Sequence, residues 1–339
     1  MKVLFIGGTG TISSAISEKV LADGHELWLI NRGNRSDRVL PGTHVICTDI
    51  NDEAYVAQQL EGMQFDVVAD FIAYVPEHVE RDYRLFSGRT KQYIFISTAT
   101  VYKKPGYDYQ LRESSALCYQ KWAYSRNKLL CEELLMKLYR QEQFPVTIVR
   151  PSHTYGKNNL PNAVQGANGT YQLVLRMKAG KPVLIHGDGT SLWTLTYNHD
   201  FAKGFTGLMG NIHAIGEAVH ITSDEALTWN QIYQIIADAL GVAFKPFYVS
   251  SAFLNAVGYG DLGDRLLSDK THSLVFDNSK LKTLVPEFQA TTRFDQGVRH
   301  VLRYLEEHPQ YQIEDPEFDA WCDRVIAAQL EAQEKMRCQ

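Results

Sequence analysis

The stretch that decides the fold is the first one, Lys2-Val3-Leu4-Phe5-Ile6-Gly7-Gly8-Thr9-Gly10-Thr11-Ile12-Ser13-Ser14-Ala15. Its apolar part, residues 3–6, is typical of a buried strand and runs into a turn rich in glycine. Residues 11–22 then carry apolar side chains at helical spacing. A strand, a glycine turn and a helix in this order form the unit that binds the pyrophosphate of a dinucleotide.

Each position of the turn Gly7-x-x-Gly10-x-x-Ser13 has a physical role in such a site. Gly7 allows a tight turn, and Gly10 lets the backbone approach phosphate groups. The N–H groups at the start of the helix, Thr11 and Ile12, and the positive end of its dipole attract negative charge. The spacing differs from the Gly-x-Gly-x-x-Gly of ordinary dinucleotide-binding dehydrogenases, and the small Ser13 takes the third place.

Length and composition describe an ordinary globular protein. The 339 residues suffice for one large domain or two smaller ones, and 45% of them are hydrophobic and 22% charged. A formal net charge of -5 without a long basic run disfavours nucleic acid as the main partner. No apolar stretch reaches the roughly 20 residues of a membrane span, and no secretory signal precedes the first strand. Five cysteines without paired or metal-like spacing predict free thiols in a reducing cytoplasm, and the scattered histidines predict no metal site.

Strands and helices alternate through the first half of the chain. After the first helix, strands are predicted at 26–33, 44–47, 65–72 and 92–96, and helices at 53–60, 77–87 and 124–141. The strand at 65–72 is almost continuously apolar, as expected for a parallel sheet covered on both faces. This alternation predicts an α/β fold of the Rossmann type, a doubly wound parallel sheet with right-handed crossovers.

The tip of the second strand, Asn31-Arg32, faces the adenosine ribose in a fold of this kind. A carboxylate there would bind the ribose 2′-hydroxyl, whereas an arginine can pair with a 2′-phosphate. Since Asn31 stands where an acid would be, Arg32 favours NADP over NAD. Arginines on a solvated loop are the alternative interpretation. Asp49 and Ile50 follow the third strand and are expected along the adenine.

A second group of chemically useful side chains follows the strand at 92–96. Ser97 and Thr98 stand at its carboxyl end, where ligands bind in such sheets. Tyr124 and Lys128 are four residues apart and therefore share one face of a helix. A tyrosine titrates near a pKa of about 10, and a neighbouring ammonium group favours the phenolate. The pattern predicts an acid/base tyrosine assisted by a lysine, with a hydroxyl of Thr98 or Ser97 bound to the reacting oxygen.

Together these motifs resemble the extended short-chain dehydrogenase/reductases, the NAD-dependent epimerase/dehydratase group. The resemblance extends from the Gly7 turn to about Leu305 and includes residues 96–102, 146–156, 187–189 and 277–281. By this resemblance Thr98 supplies the catalytic hydroxyl, Tyr124 is the acid/base, and Lys128 holds the nicotinamide ribose. Further cofactor contacts are implied for Phe71, Ala73, Ser97 and Pro151, and substrate contacts for Thr98, Tyr102, His153 and Trp193.

Three positions depart from the family's pattern. Where family members usually carry an arginine after Gly187-Asp188-Gly189 that binds a diphosphate, this chain has Trp193. His153 stands in place of the family's asparagine after Arg-Pro, and Asn31 stands in place of the acid at the end of the second strand. A diphosphate without a bidentate arginine loses a large electrostatic contribution. The substrate is therefore not restricted to a nucleotide sugar. Trp193 either stacks on a ring or fills the core.

The expected domains are an NAD(P)-binding part at 1–155 with return segments near 197–222, a substrate-binding part at 156–196 and 223–315, and a C-terminal helix at 316–339. We expect an NAD(P)-dependent epimerase or oxidoreductase that acts by hydride transfer on a sugar-like or other hydroxyl/carbonyl substrate. Ala99-Thr100 replaces the Asp-Glu pair of the family's dehydratases, which disfavours dehydration. A non-enzymatic nucleotide-sensing or RNA-binding protein on the same fold is the alternative, since plastid RNA-binding proteins use this fold differently.

Two surface features complete the expectations. The helix that carries Lys128 has an apolar stripe, and family members often pair through this helix, so a homodimer is expected. The stripe consists of Leu129, Leu130, Leu134, Leu135 and Leu138.

The loop at 160–169, rich in Asn and Gly, is expected to form a lid over the site.

Overall fold

The computed structural model of the protein describes residues 1–338; Gln339, the end of the predicted C-terminal segment, lies outside the described residues. The strands are β1 (Lys2–Ile6), β2 (Glu26–Asn31), β3 (His44–Cys47), β4 (Val67–Asp70), β5 (Tyr93–Ile96), β6 (Gln110–Leu111), β7 (Val146–Pro151), β8 (His153–Tyr155), β9 (Val183–His186), β10 (Leu192–Tyr197), β11 (Ala218–Ile221), β12 (Ala226–Thr228), β13 (Pro246–Val249) and β14 (Val275–Phe276). The helices are α1 (Thr11–Ala22), α2 (Glu53–Gln59), α3 (Pro76–Phe86), α4 (Ala123–Glu142), α5 (Tyr171–Lys178), α6 (Asn198–Leu208), α7 (Trp229–Leu240), α8 (Ser251–Val257), α9 (Leu262–Arg265), α10 (Ser279–Leu284), α11 (Phe294–Glu307) and α12 (Pro316–Arg337).

The chain divides into two compact units. The first comprises Met1–Thr154, Thr196–Asp224 and Phe276–Thr291, and the second comprises Tyr155–Leu195, Glu225–Val275 and the chain from Thr292 onward. The sequence places all of 223–315 in the substrate-binding part, but the structure returns Phe276–Thr291 to the first unit. The reason is apolar packing, since Leu281 and Val285 are buried in the core of the first unit.

The first unit is built on a seven-stranded sheet in the order β11-β7-β5-β4-β1-β2-β3. All neighbouring strands run parallel. From β1 the chain builds outward to β2 and β3 on one side and to β4 and β5 on the other. The carboxyl ends of β1 and β4 therefore form a topological switch point, the place where ligands bind in such sheets. This order confirms the predicted doubly wound parallel fold.

The sheet is covered on both faces by helices. Val3 and Phe5 of β1 are buried in one core, whereas Leu4 and Ile6 are buried in the core on the opposite face. Because successive side chains of a strand point to opposite faces, a strand buried on both must be apolar throughout. That requirement explains the unbroken apolar run before Gly7.

Predicted and observed element bounds agree best where a cap or a turn is encoded locally. Helix α1 begins at Thr11 and ends at Ala22, as the spacing predicts. The fourth strand is shorter than predicted and ends at Asp70. Its carboxylate accepts hydrogen bonds from the N–H groups of Ile72 and Ala73, which turns the chain out of the sheet.

The loop at 160–169 belongs to the second unit. Residues 160–164 are buried. The Asn162 side-chain oxygen accepts the Tyr233 hydroxyl at 2.7 Å, and the Tyr233 oxygen accepts the N–H of Ala163 at 3.0 Å. These bonds fix the first half of the loop inside its unit.

Helix α12 packs within the second unit. Phe318, Trp321 and Val325 are buried on one face, as the sequence pattern predicts. The Asp319 carboxylate accepts a hydrogen bond from Arg176 of α5 at 2.6 Å. Over residues 1–338, no helix is both long and apolar enough to cross a membrane.

Candidate functional site

A cleft of about 680 Å³ opens in the first unit at the carboxyl ends of β1 to β4. It is lined by the turns that follow these four strands and by one face of α3. The structure thereby brings together seven residues that the sequence predicts for cofactor binding: Gly7, Gly10, Asn31, Arg32, Asp49, Ile50 and Phe71.

The glycine turn after β1 has a backbone that other residues rarely adopt. Gly7 and Gly8 have φ angles of 103° and 95°. A Cβ atom on Gly8 would lie 2.5 Å from a methyl carbon of Leu29. At Gly10 the nearest atom to an added Cβ is the Ser13 hydroxyl oxygen at 3.5 Å, so the space on this side of the backbone is nearly open. The turn therefore admits a bulky group at the start of α1, where Thr11 and Ile12 begin the helix.

The tip of β2 offers hydrogen-bond donors and positive charge. The Asn31 side-chain oxygen accepts the N–H of Gly33 at 2.9 Å. Its amide nitrogen is buried and has no hydrogen-bond partner within residues 1–338. Arg32 and Arg35 are exposed, and both line the cleft. An anionic ligand group at this end of the cleft would meet the two guanidinium groups.

Lys128 is fixed in the interior at the start of α4. Only 5% of the residue is exposed, and its ammonium group donates hydrogen bonds to the carbonyl oxygens of Ala73 and Ile96, each at 2.6 Å. Burial lowers the pKa of Lys128 to about 8, and the nearby Asp70 opposes this shift. The Lys128 nitrogen lies 5.9 Å from the centre of the Tyr124 ring, and 36% of Tyr124 is exposed.

Thr98 lies next to the start of α4. Its hydroxyl oxygen accepts the N–H of Thr100 at 3.2 Å. Ser125, which follows Tyr124, donates its hydroxyl to the Thr100 carbonyl oxygen at 2.7 Å. The turn after β5 and the first turn of α4 are thus tied together. This places Thr98, Tyr124 and Lys128 in one region at the carboxyl end of β5.

Ser97 has a different environment from the one expected. It is 1% exposed, and its hydroxyl donates to the Glu132 carboxylate. Glu132 forms an ion pair with Arg150 at 2.6 Å, and both side chains are buried. Because its hydroxyl is bound in this interior pair, Ser97 is not directed at a ligand. The expected contact of Ser97 with the cofactor stays a prediction.

Tyr102 is completely buried, and its expected contact with substrate stays a prediction. Its hydroxyl accepts a hydrogen bond from Arg150 at 2.9 Å and lies 2.5 Å from Nε2 of His220. Nδ1 of His220 faces the Asp277 carbonyl oxygen at 3.5 Å. A carbonyl can only accept, so Nδ1 carries the hydrogen and Nε2 accepts the Tyr102 hydroxyl. Burial lowers the pKa of His220 to about 3.

The remaining predicted residues, Pro151, His153 and Trp193, are not among those that line the cleft. Pro151 pairs with Ile221 inside the sheet, and His153 is half-buried on β8. In the second unit Trp193 is 3% exposed, and its ring centre lies 5.3 Å from that of Trp229. Of the two interpretations of Trp193, this packing favours the core.

A charged cluster that no motif in the sequence indicates reaches the cleft. Arg81 of α3 lines the cleft and donates to the carboxylates of Asp70 and Asp82. The signal in the sequence is a carboxylate at position 70 within an otherwise apolar run. Within residues 1–338, no group of three or more His, Cys, Asp or Glu side chains could hold a metal ion.

The chain belongs to the NAD-dependent epimerase/dehydratase family, whose model matches residues 3–221. This assignment agrees with the parallel sheet and with the glycine turn at its switch point, and it confirms the resemblance to the extended short-chain dehydrogenase/reductases. The family is named for NAD-dependent epimerases and dehydratases.

Particular relatives differ in what they are named for. The chain is 27% identical over 253 residues to the chloroplast stem-loop binding protein of 41 kDa b of Arabidopsis thaliana; the match covers 71% of this chain and 63%, less than two thirds, of that protein. It is 22% identical over 289 residues to the 2′-dehydrokanamycin reductase of Streptomyces kanamyceticus, and this match covers 85% of this chain and 80% of the reductase. The fold is similar to that of a UDP-glucuronic acid 4-epimerase from Bacillus cereus solved in complex with NAD, with a TM-score of 0.71, 20% identity, and 91% and 99% of the two chains covered.

Proposed function

We propose that this protein is an NAD(P)-dependent oxidoreductase or epimerase that acts by hydride transfer on a sugar-like or other hydroxyl/carbonyl substrate. The observation that carries the proposal is the placement of Lys128. Its ammonium group is held by two carbonyls one helical turn from Tyr124, in the unit that also contains the glycine-lined cleft. The nicotinamide cofactor, when bound, supplies the acceptor or donor of the hydride.

The residues of the cleft fit the cofactor. The open backbone at Gly10 and the first N–H groups of α1, at Thr11 and Ile12, bind the pyrophosphate. Asp49, Ile50 and the neighbouring Phe71 line the cleft beside the ends of β3 and β4, where the adenine binds.

Lys128 positions the nicotinamide ribose and supports Tyr124. An ammonium group has three donors, and Ala73 and Ile96 take two of them, which leaves the third for a ribose hydroxyl. At neutral pH the group is charged, because its lowered pKa of about 8 still lies above 7. A positive charge near the phenol favours the phenolate and so helps Tyr124 to exchange a proton with the substrate oxygen.

Thr98 assists Tyr124 at the reacting oxygen of the substrate. Its own oxygen accepts the N–H of Thr100, so the hydroxyl hydrogen remains to be donated. A donor placed at the reacting oxygen stabilises the charge that develops there as the hydride moves. The family's distinction between epimerisation and reduction depends on whether the hydride returns to the same molecule.

We further propose that NADP is the preferred cofactor. The tip of β2 carries Asn31, with its unsatisfied amide nitrogen, and the exposed Arg32 and Arg35. A 2′-phosphate would receive charge-assisted hydrogen bonds from these arginines, whereas a 2′-hydroxyl finds no carboxylate among these three side chains.

Titration of the purified protein with NADPH and NADH, followed by cofactor fluorescence, tests both proposals. We expect NADPH to bind at least about tenfold more tightly, the effect of one charge-assisted contact. Preference for NADH, or NAD that is retained through purification, would overturn the NADP proposal and favour an epimerase cycle. Failure to bind either cofactor would contradict the enzymatic function itself.

A sugar-like substrate without a nucleotide is compatible with this chain. Trp193 and His153 replace family residues that bind phosphates, and one relative is named for reduction of 2′-dehydrokanamycin rather than for a nucleotide sugar. Dehydration is disfavoured by Ala99-Thr100. Turnover of a panel of nucleotide sugars and free keto-sugars in the presence of NADPH tests this proposal.

RNA binding is the second candidate, because the relative with 27% identity is named for binding a stem-loop. Against it, the set of Thr98, Tyr124 and Lys128 is complete, and the formal net charge is -5. Fluorescence anisotropy with a labelled stem-loop RNA in increasing salt distinguishes the two. Tight binding that weakens steeply with salt would favour this candidate over the enzyme.

We also propose a homodimer that forms through α4. Leu130, Leu134 and Leu138 are four residues apart, so they form a line along one side of the helix. All three are only half-buried in the single chain. A second copy that covers this line would remove apolar surface from water.

A further inference from the structure

A buried charged cluster lies in the first unit between β4, β5 and α3. Nη2 of Arg81 lies 3.1 Å from Oδ2 of Asp70 and 2.7 Å from Oδ1 of Asp82. The Tyr93 hydroxyl donates to Oδ2 of Asp82 at 2.6 Å. Each of these four residues is at most 3% exposed. Burying two carboxyl groups and a guanidinium is costly, so the arrangement calls for a function beyond filling space.

Asp70 connects this cluster to the loop that follows β4. Its Oδ1 atom accepts the N–H of Ile72 at 2.5 Å and that of Ala73 at 2.7 Å. Two hydrogen bonds to one carboxylate oxygen fix the backbone over these residues. The carbonyl oxygen of Ala73 thereby reaches the ammonium group of Lys128, 2.6 Å away.

We propose that Asp70 is a positioning residue for Lys128: its buried carboxylate holds the loop whose Ala73 carbonyl orients the ammonium group, and it places a negative charge behind that loop. The inference rests on the proposed function, in which Lys128 holds the cofactor ribose. Asp70 acts through Ala73 and through its charge.

Electrostatics supports the same relationship. Burial lowers the pKa of Lys128, and Asp70 is the first of the charges that raise it again. Burial and the neighbouring Asp70 raise the pKa of Asp82. The other titratable or charged groups near Lys128 are His78 and Arg81 on α3 and Tyr124, Cys131 and Glu132 on α4.

The substitution Asp70→Asn separates charge from geometry. The amide oxygen of the introduced asparagine still accepts the two backbone N–H groups, but the negative charge is gone, and an NH2 group replaces the oxygen that accepts from Arg81. The readout is the dissociation constant of NADPH between about pH 6 and pH 10. In the unsubstituted protein, affinity should fall as the pH rises through about 8, where Lys128 loses its proton. In D70N we expect the midpoint of this fall in affinity to lie about one pH unit lower. At pH 8 the variant should bind NADPH about fivefold more weakly than the unsubstituted protein.

Two variants serve as controls. Asp82→Asn makes the same change at the other carboxyl group of the cluster and should leave the midpoint in place. Lys128→Met removes the titrating group and should remove the pH dependence in this range. Thermal unfolding shows whether each variant keeps its fold.

The outcomes separate the inference from the function on which it rests. A folded D70N with the midpoint of the unsubstituted protein overturns the role of Asp70 and leaves the proposed function standing. A K128M variant with unchanged NADPH affinity and pH profile overturns the ribose-binding role and the inference with it. If D70N does not fold, Asp70→Ser gives the same charge test, because its hydroxyl oxygen also accepts a backbone N–H. Unfolding of both variants would assign Asp70 to general stability and would overturn the positioning role.

Discussion

The ammonium nitrogen of Lys128 lies 5.9 Å from the centre of the Tyr124 ring, one turn further along α4. The lysine is buried and held by two backbone carbonyls, whereas the tyrosine is partly exposed. This difference in exposure suits a pair in which Lys128 is held in place and Tyr124 contacts the substrate. It also makes the two roles separable by mutation.

Tyr124→Phe should lower turnover of any substrate that the protein converts by about 10²- to 10⁴-fold, the usual contribution of general acid/base catalysis. NADPH affinity should change by less than about threefold, because the ring is kept and only the hydroxyl is lost. Tyr109→Phe, at a residue that is 80% exposed, is the matched control. Turnover of Y124F at the level of the unsubstituted protein would show that another group moves the proton.

Arg32→Ala should weaken NADPH binding about tenfold and leave NADH binding nearly unchanged, because only NADPH carries the 2′-phosphate. The difference should shrink at high salt, since the site is exposed. Arg84→Ala, an exposed arginine on α3 that pairs with Glu53, is the control. Equal losses for both cofactors would place Arg32 on the solvated loop that the sequence leaves as an alternative.

His220 should make the protein sensitive to acid. Its pKa is about 3 in the folded state and about 6.5 when unfolded, so between these values only the unfolded chain binds the proton. The part of the free energy of unfolding that depends on His220 being neutral is fully present above pH 6.5 and is lost as the pH falls toward 3. Between pH 7 and pH 5 this group alone should lower the free energy of unfolding by about 2 kcal/mol.

Urea unfolding of His220→Gln at the two pH values measures this contribution. The loss of stability from pH 7 to pH 5 should be smaller in H220Q than in the unsubstituted protein. His213→Gln makes the same change in an exposed turn and serves as the control. An identical loss in H220Q and in the unsubstituted protein would assign the acid sensitivity to other groups.

The homodimer proposal is tested by light scattering after size exclusion. The unsubstituted protein should elute as a dimer at micromolar concentration. Leu130→Glu should yield a monomer with little change in thermal stability, because the residue is only half-buried in the single chain. Leu330→Glu, at an exposed leucine of α12, should leave the dimer intact. A monomeric unsubstituted protein would exclude the proposal.

Much of the cofactor end of the site follows from local sequence. Gly7 and Gly10 lie in the turn after β1, Asn31 ends β2, and Asp49 and Ile50 lie in the turn after β3. Parallel strands bring these carboxyl ends to one edge of the sheet. The inward direction of the Ser97 and Tyr102 hydroxyls could not be predicted. Their partners, Glu132, Arg150 and His220, lie far along the chain, so no local pattern indicates that the two hydroxyls point inward.

The sequence by itself determined the class of fold, the switch point and the spacing of Tyr124 and Lys128, because these depend on the period of strands and helices and on glycine turns. Tertiary structure decided which polar side chains face the cleft and which are buried, and it returned Phe276–Thr291 to the first unit. It also joined Asp70 to Lys128 through the backbone of Ala73. Such links depend on contacts between distant segments, and their energy comes from desolvation and packing, which a local pattern does not encode.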